Sequence, residues 1–282
     1  GISLKGGLHM SYLSNSREGS SIDEELWNQI DDTVIKTARK SLVGRRFLKI
    51  FGPLGIKNQS ISIDDYEHLE EHYDNGLLTT KGRQYVELPT IYADFTLFAR
   101  DLETSKQFGY PIDLSRAAYA AEECAKKEDK LIFFGNKEYG YEGLFTAAGV
   151  NKMERKDWSV GENAFSDISL ALEQFISKGI YGTYALIISP DLYVQLQRIQ
   201  PGTGLLEIER IRNLLGGNVF NSFALGSGKA VLVCPEERNM DLVIGQDLTT
   251  GYLEEKDFNH SFRILETVLL RIKRKQAVIV LE

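Results

Sequence analysis

Cysteine is nearly absent from this chain: 282 residues contain two, Cys124 and Cys234. They lie far apart and neither belongs to a CxxC pair, which leaves no basis for a disulfide framework or a cysteine-built metal site. Cys124 falls in an alanine-rich stretch and Cys234 ends the apolar run Ala230–Val233, so both are expected to be buried, inert thiols. That usage fits a cytoplasmic protein. Long hydrophobic runs are also lacking. The longest, such as Tyr184–Ser189 and Ala277–Leu281, are strand-sized and far below the roughly 20 residues of a membrane helix. No secretion signal is recognisable, and neither a membrane nor an extracellular setting is expected. Positive charge is not in excess: the formal net charge is −7, which argues against nucleic-acid binding by a general basic surface while leaving local patches open.

With four histidines and no Ser, Cys or carboxylate in a recognised nucleophile motif, hydrolase chemistry finds no support. His68 and His72 stand four apart among Glu67, Glu70 and Glu71. Their order, HLEEH, lacks the glutamate beside the first histidine that a zinc protease uses to activate water. A solvated polar tip is the better reading, and no metal site is expected. GSGKA at Gly226–Ala230 hints at a phosphate loop. The motif needs glycine where Phe223 stands and Ser or Thr where Ala230 stands, so a turn is expected there.

What is present is an ordinary globular composition, 43 % apolar and 26 % charged, with abundant Tyr and Phe. Residues 1–10, GISLKGGLHM, read as a remnant of expression, with the natural chain expected to start at Met10. Ser11–Ser21 is rich in small polar residues. A helix is predicted over 22–42, capped by Ser21, with an apolar stripe of Leu26, Ile30, Val34, Ala38 and Leu42. Arg46–Phe51 reads as a strand closed by Gly52-Pro53. Ile56–Arg83 is a long polar excursion of the kind that projects from a domain. Gln84–Leu102 reads as extended, Leu114–Phe134 as the longest helix, Phe165–Lys178 as an amphipathic helix and Ala185–Ile188 as a buried strand. Two short helices flank the turn Gln200–Gly204, and the chain is strand-like from Asn218 onward. Without regular βαβ alternation, the class is α+β.

Several segments resemble, in the same order, those of encapsulin shell proteins. They are Trp27 with Ile30-Asp31, GRRF (Gly44–Phe47), FGPLG (Phe51–Gly55), LP (Leu88-Pro89), FTL (Phe95–Leu97), IFFG (Ile132–Gly135), GL (Gly143-Leu144), YGTYALIISPDLY (Tyr181–Tyr193) and IGQDLTTGYLEE (Ile244–Glu255). Each is weak alone; their collinearity from Leu26 onward makes the resemblance specific. It implies the Hong Kong phage capsid-type fold. The peripheral domain would take 43–55 and 84–157 with Leu114–Phe134 as spine helix, the extended loop 56–83, and the axial domain 158–235. Residues 236–282 would be strands returning to the peripheral domain and the loop base, and helix 22–42 would line the lumen.

The resemblance further implies a homo-oligomeric icosahedral shell enclosing a cargo enzyme, ferritin-like or a dye-decolorising peroxidase, with no catalysis by the shell itself. Cargo of this family carries a terminal targeting peptide that docks in a groove, which on this chain would involve Trp27, Ile30, Val34, Arg45 and Lys49. The turn Arg198, Gln200, Pro201, Gly202, Thr203 and Gly204 would rim the five-fold pore. Some relatives stack flavin on a Trp just after the FTL strand; Arg100 stands here, so no cofactor is expected. Thr203 replaces a histidine of some relatives, so no pH- or metal-responsive pore is expected. The rival readings are a phage major capsid protein, which would package nucleic acid, and a protease or bacteriocin, labels this family has carried.

Overall fold

The computed structural model describes residues 17–64, 66 and 68–282; the expectations for residues 1–16 lie outside them. The first helix, α1 (Glu24–Ser41), is capped by Asp23, whose Oδ1 accepts from the Leu26 N–H at 2.8 Å, in place of the predicted Ser21. A four-residue helix follows, α2 (Gly44–Phe47), where a strand was predicted. The reason is tertiary: the buried carboxylate of Asp129 accepts from the backbone N–H groups of Val43 and Gly44, at 3.0 and 2.9 Å, and so caps this turn from a distant helix. Only β1 (Ile50–Phe51) of that segment is extended.

The excursion is a ribbon of two successive strand pairs. The antiparallel pair β2 (Ser60–Asp64) and β5 (Arg83–Glu87) forms its base. β3 (Glu70–Asp74) and β4 (Leu77–Lys81) form its tip, pairing only with each other. His72 therefore lies in a strand opposite Thr79 and shares no helix face with His68. β6 (Thr90–Phe98) is extended as predicted, but the chain turns helical at Ala99, so residues 99–102 belong to α3 (Ala99–Phe108). The predicted long helix is α4 (Ser115–Phe134), followed by β7 (Asn151–Met153), α5 (Asn163–Ser177), β8 (Ala185–Ile188), α6 (Pro190–Gln195) and α7 (Glu207–Leu214). The remainder is strand-rich: β9 (Val219–Asn221), β10 (Ala230–Val233), β11 (Met240–Ile244), β12 (Thr249–Lys256), β13 (Asn259–Ile272) and β14 (Val278–Leu281).

Two five-stranded sheets organise these elements. The first runs β1-β11-β13-β12, with β6 also pairing along β13. The second runs β7-β14-β10-β8-β9. Residues 236–282 supply β11, β12 and β13 to the first sheet, and the final strand crosses into the second, where β14 pairs antiparallel with β10 and parallel with β7. Every residue of β14 is buried, as a strand covered on both faces must be. α4 lies across β6 and β13, α1 packs against α4 and also touches β12, and one apolar core continues from this layer into the second sheet. Both cysteines are buried, and burial pushes the Cys124 thiol up to about 12. At GSGKA the Gly228 N–H donates to the Asp191 carboxylate at 2.9 Å, so an acid sits where a phosphate loop would hold an anion.

The motifs IFFG and GL meet in space. Gly135 ends α4 at φ +62°, and a Cβ on Gly143 would lie 2.4 Å from the Gly135 nitrogen and 2.5 Å from that of Phe134. Backbone cannot move aside as a side chain can, so Gly143→Ala is expected to destabilise the subunit by about 3 kcal/mol or more, read as a lowered denaturation midpoint.

Candidate functional site

Four segments remote in sequence converge on one partly buried guanidinium. Arg45, in the first turn of α2, reaches Glu128 of α4 at 2.7 Å, Glu266 of β13 at 2.9 Å and Asp247, just after β11, at 2.9 Å. The side chains of Glu128 and Glu266 are almost wholly withdrawn from solvent, while Asp247 is half exposed. Burial first, and the neighbouring Glu128 carboxylate second, push Glu266 well above the usual carboxylate range. Asp129, one residue along α4, is pushed up to about 7 by burial, against the pull of its two backbone hydrogen bonds. The hub thus ties GRRF, the spine helix and the IGQDLTTGY segment together. FGPLG joins as well, since the N–H groups of Leu54 and Gly55 donate to the carbonyls of Ile244 and Gly245, each at 2.9 Å.

Sequence reading placed Arg45 in a binding groove and missed its three carboxylates. A signal was there: Glu128 occupies the same helical stripe as Ala117, Ala121, Cys124 and Ile132, and Glu266 interrupts the apolar run of β13. A charge at a core position of an otherwise apolar pattern implies a buried partner.

The five groove residues do not share a surface. Ile30 and Val34 are buried at 0 % and 2 % exposure, and Trp27 packs edge-on against Phe262, ring centroids 5.4 Å apart. Their atoms pack into the subunit's own core. Arg45 is engaged in the hub, and Lys49 alone is exposed. Aspartates at Ile30 and Val34 would therefore unseat α1 from its own domain before they blocked any ligand.

In the turn, the polar side chains point inward. Arg198 donates to the carbonyls of Trp158 and Gly161 at 2.9 and 2.8 Å, and Gln200 Nε2 donates to Gly161 O at 2.7 Å. Pro201, Gly202, Thr203 and Gly204 are exposed, held by an Ile199–Leu206 bridge at the base. Arg198 and Gln200 are anchors of the turn, and only its tip is free to rim an opening. Arg100 begins α3 with its guanidinium 5.9 Å from the Phe98 ring. Among the described residues, no cluster of three or more His, Cys, Asp or Glu could hold a metal ion, and no helix is long and apolar enough to cross a membrane.

Residues 10–269 match the family model described as encapsulating protein for peroxidase. The chain belongs to the encapsulin shell-protein family. It is 41 % identical, over 92 % of its length and 93 % of the relative's, to the type 1 encapsulin shell protein EncA of Myxococcus xanthus. It is 40 % identical to the diheme-cytochrome-encapsulin shell fusion protein of Kuenenia stuttgartiensis, over 93 % of this chain and 74 % of that one. A virus-like particle from Pyrococcus furiosus superposes with a TM-score of 0.74 at 23 % identity, covering 92 % of this chain and all of that one. The capsid of Myoviridae Phage XM1 superposes with a TM-score of 0.60 at 14 % identity, over 84 % and 90 %. The fold is thus the phage capsid type, and the family names carry a structural role.

In this encapsulin subunit Asp129 gives a pH dependence whose sign follows from its raised value. The folded state keeps a proton that the unfolded chain releases near pH 4, so Asp129's contribution falls as pH rises from about 4 to 7 and is level above. Asp129→Asn keeps an acceptor for Val43 and Gly44 but cannot ionise. It is expected to gain on the order of 3 kcal/mol relative to the parent between pH 4 and pH 8, read by denaturant titration at both pH values.

Proposed function

We propose that this chain is the repeating subunit of a closed icosahedral cage that encloses a cargo enzyme docked by a short terminal peptide. The observation that carries this reading is the ribbon 60–87, whose tip shows Tyr73, Leu77 and Leu78 each more than half exposed. An isolated two-stranded ribbon is marginal in water, and these side chains gain roughly 25 cal/mol per Å² when a neighbour covers them. Further exposed apolar residues on the second sheet's side, Leu170, Val194 and Ile199 among them, supply the additional interfaces that a closed shell requires. The phage-capsid reading is weaker, because the shell relatives share about 40 % identity with this chain whereas the phage capsid shares 14 %.

The cage would sit in the cytoplasm, with the exposed face of α1, including Ile35, available to the cargo peptide. A ferritin-like iron oxidase is the favoured cargo and a dye-decolorising peroxidase the second. A relative of Pyrococcus furiosus is named a ferritin-like-encapsulin shell fusion protein, and the matched family model names peroxidase. The tip Pro201–Gly204 would rim the five-fold opening and pass ions and small molecules. Size-exclusion chromatography with negative-stain microscopy tests the reading: hollow particles of uniform diameter are expected, and a purely monomeric chain at high concentration would refute it.

A further inference from the structure

Positive charge is concentrated in one short stretch of this acidic chain. Lys36, Arg39, Lys40, Arg45, Arg46 and Lys49 follow one another with no Asp or Glu between them, in a protein whose formal net charge is −7. The structure gathers these cations at one end of α1. Lys36, Arg39 and Lys40 stand three and four residues apart in its last turns, the spacing of neighbours on one helix face. The chain then turns directly into α2, and Arg46 Nη2 donates to the Lys40 carbonyl at 3.2 Å, which holds the cations of the two helices side by side. Lys49 follows just before β1. All of these except Arg45 are exposed.

Local demands account for only part of this charge. Arg45 serves the hub, and Arg39 and Lys40 complement the negative end of the α1 dipole. Arg46 and Lys49 lie beyond that helix. Lys36 bridges Asp32 at 2.9 Å, whereas Arg39, Lys40, Arg46 and Lys49 make no ion pair among the described residues. The carboxylates of Glu128, Glu266 and Asp129 are buried behind the segment, and Glu128 and Glu266 already share Arg45. Burial also favours the protonated forms of Glu266 and Asp129, so these acids do not cancel the exposed cations.

What the segment lacks defines the ligand. Its one aromatic, Phe47, is buried and stacks on Phe133 and Phe220, so no ring is open for a nucleobase to lie on. What it offers is guanidinium and ammonium groups alone, which suit closely spaced phosphate oxygens.

We infer that the basic end of α1, with Arg39, Lys40, Arg46 and Lys49, is a binding site for inorganic polyphosphate, held by charge without base recognition. On the shell reading above the site lies on the inner wall of the cage; the binding itself does not depend on closure.

Equilibrium dialysis of the full-length protein, produced without cargo, against tripolyphosphate at low salt tests this and allows time for entry into closed particles. Saturable binding that weakens as salt rises is expected. Arg39→Gln/Arg46→Gln/Lys49→Gln is expected to weaken it by about tenfold or more. Lys57→Gln/Lys106→Gln/Lys256→Gln removes the same charge from exposed positions elsewhere and is expected to stay within about twofold of the parent. Arg39→Lys/Arg46→Lys/Lys49→Arg keeps the charge while changing the side chains, and is also expected to bind within about twofold. Circular dichroism melting shows that each variant is folded. The site is refuted if the parent does not bind, if the two glutamine variants weaken alike, or if the charge-retaining variant binds as poorly as the first. A short oligothymidylate that binds more tightly than tripolyphosphate would also overturn it, in favour of nucleic acid. Microscopy of the same samples separates the two readings: closed particles that bind no tripolyphosphate count against this site alone, and binding by a chain that forms no particles counts against the shell alone.

Discussion

Replacing residues 65–82 with a short Gly-Ser linker is expected to leave folded subunits and abolish particles. The cut retains β2 and β5, whose ends meet at Asp64 and Arg83, so a short linker can close the gap without strain. It also retains Ile61, Ile63 and Val86, which pack with Leu88, Val243 and Leu269 in a small apolar cluster under the ribbon's base. A cut at residue 56 would strip that cluster and confuse misfolding with failed assembly. What is removed is the β3–β4 tip with Tyr73, Leu77 and Leu78, which pairs with no further strand among the described residues. A monomeric species with the parent's circular dichroism is the expected product. Intact particles in negative stain would show that the ribbon is no assembly element.

Arg45→Met is expected to lower subunit stability by roughly 3–5 kcal/mol at pH 8, the loss usual when one member of a buried ion cluster is removed. The deficit comes from Glu128 and Glu266, left facing each other in the core with no cation between them. It should shrink as pH falls through the raised range of Glu266, because a protonated carboxyl needs no counter-charge. Guanidinium denaturation at pH 8 and pH 4.5 separates this origin from lost packing, which pH would not relieve. Arg45→Lys should recover only part of the loss, since one ammonium cannot span Glu128, Glu266 and Asp247 as the planar fork does. A pH-independent deficit of under about 1 kcal/mol would mean that the cluster is solvated and the hub unimportant.

Three segments sit in surroundings that their local pattern does not reveal, for the same reason. Ile30 and Val34 were correctly placed on the apolar face of α1, but an apolar stripe does not say whether it meets its own domain or a ligand, and here it is fully consumed by the former. Arg46–Phe51 alternates well enough to pass for a strand, yet its first residues are helical because Asp129, more than eighty positions away, caps them. Arg198 and Gln200 fall in the turn that family resemblance assigns to the pore rim; their hydrogen bonds to Trp158 and Gly161 anchor that turn to its own domain.

The sequence by itself determined the local grammar of this chain: α1, α4, α5 and β8 from apolar period, the projecting excursion from its polarity, and the α+β class from element order. It also determined family membership, because collinear short motifs survive where each alone is weak. Tertiary structure alone decided what those motifs are for. Gly135 and Gly143 are needed because two backbones touch, FGPLG because it binds the carbonyls after β11, and GRRF because its first arginine neutralises buried acids from α4 and β13. It also decided that β14 leaves the first sheet for the second. Periodicity reports which face of an element is apolar, but the partner of a buried charge or of a strand edge lies at arbitrary sequence distance, and only the folded chain brings the two together.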